Sequence, residues 1–251
     1  WNISRDSLPD ATEIAALALA GTPVGPNTGV GRRYADPEES EVLEVGAKIK
    51  LPTGYLNIAL FDQKIEGFQS NTFIGTGFIL ANAGSQSTKG YEFDLVMSPT
   101  DSIDLAISGL FMDPIYDSFP NSSSGDLTGT MPSNVSENTV SSTITWNWNL
   151  NNWDGYLRIS HLYASEAKML ENPAWQAILE NAGNGMKTQD TMNFSAGIER
   201  DNFSITIWGK NINDDEYLIS AFPAVADPTS TTFFGYPNAY SSYGATLNYR
   251  F

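Results

Sequence analysis

The chain has 251 residues, a net charge of −16 at neutral pH, no cysteine and a single histidine. Without cysteine it can form neither a disulfide framework nor a thiolate site. Its acidity argues against nucleic-acid binding, because few cations are present to neutralise phosphates. No run approaches ~20 apolar residues, so a transmembrane helix is excluded. Transmembrane β-strands are not excluded, since each needs only ~9–11 residues, half of them polar.

Residues 1–40 are rich in turn-forming residues and show no strand pattern. Within them, Asp10-Ala-Thr-Glu13 has the spacing of a capping box, apolar residues follow at helical intervals, and Gly21 fits the end of a helix. We predict a short helix at about 11–20, within a surface loop region that extends to residue 40.

From Glu41 the sequence alternates between apolar and polar residues with the period of two that β-strands show. Nine such segments carry their apolar residues within 43–51, 56–60, 91–97, 103–111, 144–150, 157–159, 192–198, 203–207 and 243–251. Short connections at 52–54, 99–101, 151–152 and 201–202 alternate with four long loops, which we call the first to fourth long loops, at 66–87, 113–134, 165–187 and 213–239.

A soluble β-sandwich has no reason to place all its long loops at one end. An outer-membrane barrel does, because its short turns face the periplasm and its long loops face outside. The sequence therefore predicts an all-β fold, a transmembrane antiparallel up-and-down β-barrel with short helices in extracellular loops. Aromatic residues near the short turns and the chain end fit a periplasmic girdle: Tyr55, Trp148, Trp153, Phe203, Tyr249 and Phe251.

The last ten residues alternate without interruption. Tyr243, Ala245, Leu247, Tyr249 and Phe251 fall on one face of a strand, and small polar residues fall on the other. This ending resembles the terminal strand of bacterial outer-membrane barrels, in which a final Phe is read by the insertion machinery. The resemblance implies a barrel-insertion signal at Tyr243, Leu247, Tyr249 and Phe251, and the barrel-assembly machinery as a partner.

Five stretches in the right order resemble the C-terminal half of a TonB-dependent outer-membrane receptor. They are the acidic Pro-Glu segment with its Glu-x-Gly-x-Lys pattern at 36–48, the strand at 56–61, Lys89-Gly-Tyr-Glu-Phe-Asp94, Lys210-Asn-Ile-Asn-Asp-Asp-Glu-Tyr217 and Tyr243-Gly-Ala-Thr-Leu-Asn-Tyr-Arg-Phe251. The chain departs from the family in one place, since Tyr240-Ser241 stands where Pro-Arg is frequent.

The resemblance implies a 22-stranded barrel with an N-terminal plug, of which this chain would supply about nine C-terminal strands at 41–251, with residues 1–40 as an extracellular loop region. The plug and the other strands would belong to the same or a separate chain. The implied function is uptake of a scarce nutrient such as a ferric siderophore, cobalamin or an oligosaccharide. The implied partners are outer-membrane lipid and lipopolysaccharide, and the TonB complex acting through the plug.

The sequence offers little chemistry of its own. We find no catalytic nucleophile–base pair, no metal site and no cofactor motif, so we predict that the chain is not an enzyme. Carboxylates at Asp214-Asp-Glu216 and at Asp36, Glu38, Glu39 and Glu41 could hold Ca²⁺, but they lack a defined ligand spacing. A solvated acidic loop is the better interpretation. His161 has no second histidine or cysteine near it and is predicted to be structural.

The third long loop contains a predicted helix. Asn172 can cap it, Pro173 fits its first position and Gly183 fits its end. Trp175, Ile178, Leu179 and Ala182 share one face, which either packs loop against loop or forms a lid over an external pocket. Aromatic residues of the long loops could contact an apolar or sugar-like ligand; the candidates are Tyr116, Phe119, Trp175, Phe233, Phe234 and Tyr236, with Phe68, Phe73 and Phe222 also in these loops.

Two other functions stay open. A non-energised porin or anchor barrel would close without a plug and conduct ions. A soluble acidic β-sandwich lectin or adhesin would need no detergent. The excess of acidic residues suggests two further hypotheses: divalent cations that bridge to lipopolysaccharide, or repulsion of anionic ferric siderophores.

Overall fold

The computed structural model describes residues 37–74, 77–120, 122, 124–224 and 232–251. The helix predicted at 11–20 lies outside them. The described residues form thirteen β-strands and one α-helix: β1 (Glu39–Leu51), β2 (Gly54–Glu66), β3 (Gln69–Ile74), β4 (Gly77–Asn82), β5 (Ser85–Thr100), β6 (Ile103–Ser118), β7 (Asn138–Leu150), β8 (Trp153–Lys168), α1 (Pro173–Asn181), β9 (Met186–Arg200), β10 (Phe203–Lys210), β11 (Leu218–Pro223), β12 (Phe233–Pro237) and β13 (Ser242–Tyr249).

Nine of the strands form one antiparallel sheet in which each strand pairs with the next, in the order β1-β2-β5-β6-β7-β8-β9-β10-β13. This confirms the predicted nine-stranded meander. The strands β1 and β13 form the two edges of the sheet. The remaining strands form two separate hairpins, β3–β4 and β11–β12. Among the described residues, no helix is both long enough and apolar enough to cross a membrane.

The register gives the sheet two chemically different faces. Val45 lies opposite Leu60, and Leu60 lies opposite Tyr91. On the other side of the same strands, Asn57 pairs with both Lys48 and Asp94. We call these the apolar face and the polar face. Because many large side chains on the apolar face are exposed to solvent here, this face needs lipid against it, as a transmembrane barrel provides.

The four short turns lie at 52–53, 101–102, 151–152 and 201–202. Two of them use residues with positive φ: Asn151 at +52°, Asn152 at +65° and Asp201 at +52°. Asn and Asp tolerate this left-handed backbone better than other residues with side chains, and it matches the twist of tight hairpins. The turn residues thus explain why these strands reverse within two residues.

The strands extend further into the long loops than predicted. Strand β5 begins at Ser85, β6 continues to Ser118 and β8 continues to Lys168. In addition, the β3–β4 and β11–β12 hairpins lie in the first and fourth long loops, where we predicted no strands. In the extended ends of β5 and β6, backbone pairing continues between segments that carry polar side chains, as in the 2.8 Å hydrogen bond from Ser87 Oγ to Asp117 Oδ1. Such pairing leaves no apolar alternation in the sequence.

The prediction that Tyr55 belongs to the aromatic girdle was wrong. Tyr55 pairs with Lys50 and therefore lies on the polar face. Trp153 and Phe203 lie on the apolar face near the short turns, with ring centroids 6.1 Å apart, and the Arg200 guanidinium lies 5.8 Å from the Trp153 ring. An aromatic ring with a nearby cation is typical of a membrane–water interface.

The largest buried side chains lie among the long loops, whereas the sheet itself is mostly accessible on both faces. One cluster contains Phe68, Tyr116, Phe119 and Leu127. A second contains Met169, Leu179 and Ala221, with Leu170, Leu218 and Phe233 partly buried against it. These two clusters hold the long loops together above the sheet.

Candidate ligand-contact surface of the long loops

Two of the predicted ligand contacts, Tyr116 and Phe119, are buried in the first loop cluster. Their ring centroids lie 5.2 Å apart, and the Phe68 ring lies 5.4 Å from Tyr116 and 5.1 Å from Phe119. Such ring contacts stabilise packing beyond the area that they bury. The cluster therefore joins the first and second long loops and leaves these rings little surface for a ligand.

A buried carboxylate joins the second and third long loops. The Tyr116 hydroxyl and the Ser133 backbone N–H both donate to Glu171 Oε1, at 3.0 Å and 2.6 Å. The other oxygen, Oε2, is buried and accepts no hydrogen bond within the described part of the chain. Burial and the neighbouring Glu171 carboxylate raise the pKa of Tyr116. The phenol stays protonated below its unfolded pKa of about 10, and it loses this hydrogen bond only at higher pH.

The helix predicted in the third long loop is confirmed as α1. Asn172 accepts hydrogen bonds from the N–H groups of Ala174 and Trp175, and Pro173 opens the helix. Gln176 is buried and accepts hydrogen bonds from the N–H groups of Met169 and Leu170, at 3.1 Å and 3.0 Å.

Leu179 of α1 packs in the second loop cluster, against Met169 and the fourth long loop. This contact supports packing of loop against loop as the role of the helix. Trp175 is half-buried, and its contact with a ligand stays a prediction.

Where β10 ends, side chains continue its pairing with β9. Asn213 Oδ1 accepts a hydrogen bond from the Met192 N–H at 2.9 Å, and Asp215 Oδ2 accepts one from the Asp190 N–H at 2.7 Å. The Ile212 N–H donates to the Met192 carbonyl at 2.8 Å. Backbone groups of β9 beyond the end of β10 are therefore paired by the residues that follow Lys210.

Asn211 and Asn238 join the two ends of the fourth long loop, and we call this set of hydrogen bonds the asparagine clasp. Asn211 Nδ2 donates to the carbonyls of Asp215 and Ala239, at 2.9 Å and 3.1 Å, and its Oδ1 accepts from the Asp215 N–H. Asn238 Nδ2 donates to the Asp215 carbonyl at 2.7 Å, and its Oδ1 accepts from the Tyr217 N–H. Both asparagines are buried.

The clasp was not predicted, although Lys210-Asn-Ile-Asn-Asp-Asp-Glu-Tyr217 stood out as a motif. The motif gave the sequence spacing of these polar side chains. It did not show that they bond to backbone groups of β9 and to the far end of the loop. Three asparagine or aspartate residues at alternate positions were the available signal.

Replacing Asn211 by alanine is expected to open the fourth long loop. The change removes the side-chain partners of the Asp215 N–H and the Ala239 carbonyl, at about 1–3 kcal/mol for each buried group left unpaired. Amide hydrogen exchange in the complete receptor should show lost protection at Asp215 and through 213–239. The control is Asn248→Ala, since that side chain makes only an exposed 3.4 Å contact with Ser204. Unchanged exchange in Asn211→Ala would contradict the clasp.

The β11–β12 hairpin has one buried and one open face. Ala221, Leu218 and Phe233 turn towards Met169 and Leu179. Phe222 pairs with Phe234, and Ser220 with Tyr236, on the opposite side. There the three rings are 41% (Phe222), 55% (Phe234) and 57% (Tyr236) exposed, and the Phe222 ring lies 5.6 Å from Phe234 and 5.8 Å from Tyr236.

We call these three rings the aromatic face. Of the six predicted ligand contacts, Phe234 and Tyr236 keep the most free ring surface, and Phe233 is partly buried. Phe222, which was also noted from the sequence as a loop aromatic, completes this face.

The two acidic clusters are engaged in local hydrogen bonds where the structure describes them. Asp214 Oδ1 accepts from Ser241 Oγ at 2.6 Å, and Glu38 Oε1 accepts from the Gln69 N–H at 2.5 Å; Asp36 lies outside the described residues. His161 Nε2 lies 2.5 Å from Asp190 Oδ1. Within the described ranges, no group of three acidic or histidine side chains is placed to share a metal ion.

The polar face forms an open groove of about 740 Å³ across β1, β2, β5, β6 and β7. Its polar lining includes Glu44, Lys48, Asn57, Glu92 and Asp94. The groove is open along its length and does not enclose a ligand by itself.

The terminal strand lies as predicted, with Tyr243, Leu247 and Tyr249 exposed on the apolar face. The Phe251 ring packs edge-on against Tyr249, with centroids 5.2 Å apart. The role of these residues as an insertion signal stays a prediction.

Solved structures share this fold at low sequence identity. The ferric yersiniabactin uptake receptor from Yersinia pestis has a TM-score of 0.66 and 16% identity, with 85% of this chain covering 30% of that one. The ferric-catecholate import receptor from E. coli K12 in its closed form has a TM-score of 0.66 and 14% identity, with coverages of 91% and 30%. The ferripyoverdine receptor of Pseudomonas aeruginosa has a TM-score of 0.57 and 13% identity, with coverages of 85% and 27%.

This chain therefore spans less than a third of the length of those receptors. No curated protein sequence matches it. Residues 7–251 match the family described as TonB dependent receptor-like, beta-barrel. That family consists of outer-membrane transport receptors of Gram-negative bacteria and not of enzymes. Because the match covers nearly the whole chain, this protein belongs to the TonB-dependent receptor-like β-barrel family.

Proposed function

We propose that the chain forms the C-terminal part of an outer-membrane receptor that takes up a ferric siderophore with energy supplied through TonB. The observation that carries this proposal is the family match over 7–251, on a nine-stranded meander with one apolar face. The solved receptors of the same fold are named for ferric yersiniabactin, ferric catecholates and ferripyoverdine. Those ligands are named for those proteins only. They indicate the class of ligand, ferric siderophores, that should be tested with this protein.

The two sheet edges support the proposal that more strands complete the barrel. Among the described strands, β1 and β13 each pair on one side only. In lipid, the backbone N–H and C=O groups on their other sides need partners, because a membrane does not tolerate unpaired ones. The remaining strands come from the same or a separate chain, and the plug packs against the polar groove that contains Glu44, Glu92 and Asp94.

In this arrangement the long loops are extracellular and the carboxyl terminus is periplasmic. Residues 1–40 form an extracellular loop region, and 41–251 form the barrel segment. The apolar face contacts lipid and lipopolysaccharide. The barrel-assembly machinery reads Tyr243, Leu247, Tyr249 and Phe251, and TonB acts through the plug.

The test is iron uptake by cells that carry the complete receptor. We expect saturable uptake of radioactive iron from a ferric siderophore, and its loss when TonB is absent or the proton gradient is dissipated. Uptake that continues without TonB, together with ion conductance in a planar bilayer, would instead favour the porin interpretation. Solubility of the native protein without detergent would favour a lectin or adhesin.

A further inference from the structure

The aromatic face is an exposed, contiguous apolar surface in the long loops. Its rings are contributed by both strands of one hairpin, and they touch one another without being covered by the rest of the described chain. Exposed contiguous aromatic surface on a folded protein generally marks a site of contact with another molecule. The face belongs to a hairpin whose other side is already committed to packing against Met169 and Leu179.

The hairpin is held in place from two sides. Ala221 and Phe233 pack into the second loop cluster, and the asparagine clasp fixes the backbone at Tyr217 and Asn238, immediately before and after the hairpin. A surface that is ordered before binding loses less conformational entropy when a ligand arrives. The aromatic face is therefore built as a preformed contact surface.

The charge of the long loops restricts what this surface attracts. The four long loops carry eleven acidic residues, two lysines and no arginine in the sequence. One of the two, Lys187, has its Nζ 5.9 Å from the centroid of the Tyr217 ring. A loop region of one sign repels ligands of the same sign and slows their approach. An anionic ligand that bound at the aromatic face would meet this field without a guanidinium from these loops to offset it.

We propose that the aromatic face of Phe222, Phe234 and Tyr236 binds the transported ferric chelate, and that this chelate carries no net negative charge. The inference rests on the proposed function and narrows it. Three hydroxamate groups, each with a single negative charge, cancel the three positive charges of a ferric ion. Three catecholates, each doubly charged, leave a trianion. A ferric trihydroxamate, neutral and rich in CH₂ groups that pack on aromatic rings, fits both observations.

The test compares two chelates on the complete receptor in detergent. The probes are a neutral ferric trihydroxamate and a trianionic ferric tris-catecholate, followed by quenching of intrinsic fluorescence. The variant combines Phe222→Thr, Phe234→Thr and Tyr236→Thr, because threonine keeps the β-strand propensity while it removes the rings. Tyr240→Thr is the matched control, since Tyr240 is 66% exposed, next to the same loop and outside the aromatic face.

We expect the neutral chelate to bind wild type, and the triple variant to raise its Kd by at least about tenfold, as loss of aromatic anchors does in other interfaces. Tyr240→Thr should leave the Kd unchanged. The trianionic chelate should bind at least tenfold more weakly. Its binding should improve when the salt concentration rises from about 0.01 M to 0.15 M, because the Debye length falls from about 30 Å to 8 Å.

Tight binding of the trianionic chelate, or an unchanged Kd in the triple variant, overturns the inference. TonB-dependent iron uptake measured with both chelates then separates failure of the inference from failure of the proposed function. If the trianion is transported, the proposed function stands and the inference fails. If neither chelate is transported, the inference fails, and the proposed function fails if no other ferric siderophore supports TonB-dependent uptake.

Discussion

Replacing Ile207 by lysine is expected to destabilise the folded receptor by roughly 2–4 kcal/mol, the cost of a lysine at the membrane midplane on the lipid face of a barrel. Ile207 is exposed on the apolar face, with Ala196 and Ala245 as its cross-strand neighbours. It lies five residues along β10 from the 201–202 turn. At ~3.3 Å per residue and a tilt of ~40°, this is about half the height of a ~25 Å apolar band.

The matched control is the adjacent residue. Thr206 lies on the polar face, opposite Gly197 and Thr246. It lines a cavity of about 240 Å³ together with Asp154 and Glu199. Thr206→Lys therefore places its ammonium group near carboxylates, and it is expected to cost less than about 1 kcal/mol. Both variants are measured by urea unfolding of the complete receptor in lipid vesicles. Equal losses would contradict the assignment of the apolar face to lipid, and a larger loss in Thr206→Lys would mean that the polar face is the one turned to lipid.

Replacing Gly244 by alanine is expected to destabilise the pairing of β10 with β13 by about 1–3 kcal/mol, the usual cost of overpacking. The Trp208 ring lies directly over Gly244, and a Cβ at that position would lie 2.3 Å from Trp208 Cζ2. The Lys210 ammonium lies 5.6 Å from the centroid of the same ring. The tryptophan thus has a cation near it as well as the glycine beneath it.

A double-mutant cycle shows whether the ring is the cause. Trp208→Ala removes the obstacle, so adding Gly244→Ala to it should cost little, and the two effects should be non-additive by at least about 1 kcal/mol. Alanine has a higher strand propensity than glycine, so propensity alone would make Gly244→Ala stabilising. Additive effects in urea unfolding would show that Gly244 is needed for some other reason. The same arrangement recurs where Tyr156 covers Gly197 and Trp148 covers Gly155.

The membrane-spanning part of the sheet could be predicted because lipid and water impose a strict alternation on each strand. The pattern from Tyr243 to Tyr249 placed these residues on the correct face, and the Asn and Asp residues at 151–152 and 201 marked the tight turns. Tyr55 was misplaced because it was assigned to the girdle by its nearness to a turn. The face of the strand on which its position falls was not considered. Its cross-strand partner is Lys50, a charged residue, and this pairing places Tyr55 on the polar face.

The long loops could be predicted only in part. Helix α1 has local signals, in Asn172 and Pro173, and these were sufficient. The contacts that organise the loops join residues far apart in the chain, as Tyr116 and Glu171 do across 55 positions. No periodicity reports such a contact, because each partner is a single residue in a polar segment. Asn211 likewise bonds to residue 239, and only the fold brings the two together.

The asparagine clasp fixes both ends of the β11–β12 hairpin. Tyr217 and Asn238 are held beside each other by their own hydrogen bonds, and β11 and β12 run out and back between them. The register of β10 with β13 therefore involves no side chain of β11 or β12. Changes to the exposed rings Phe222, Phe234 and Tyr236 leave this register unchanged, whereas changes to Ala221 or Phe233 would disturb the second loop cluster. A receptor built in this way can vary one side of a loop hairpin while its barrel strands stay the same.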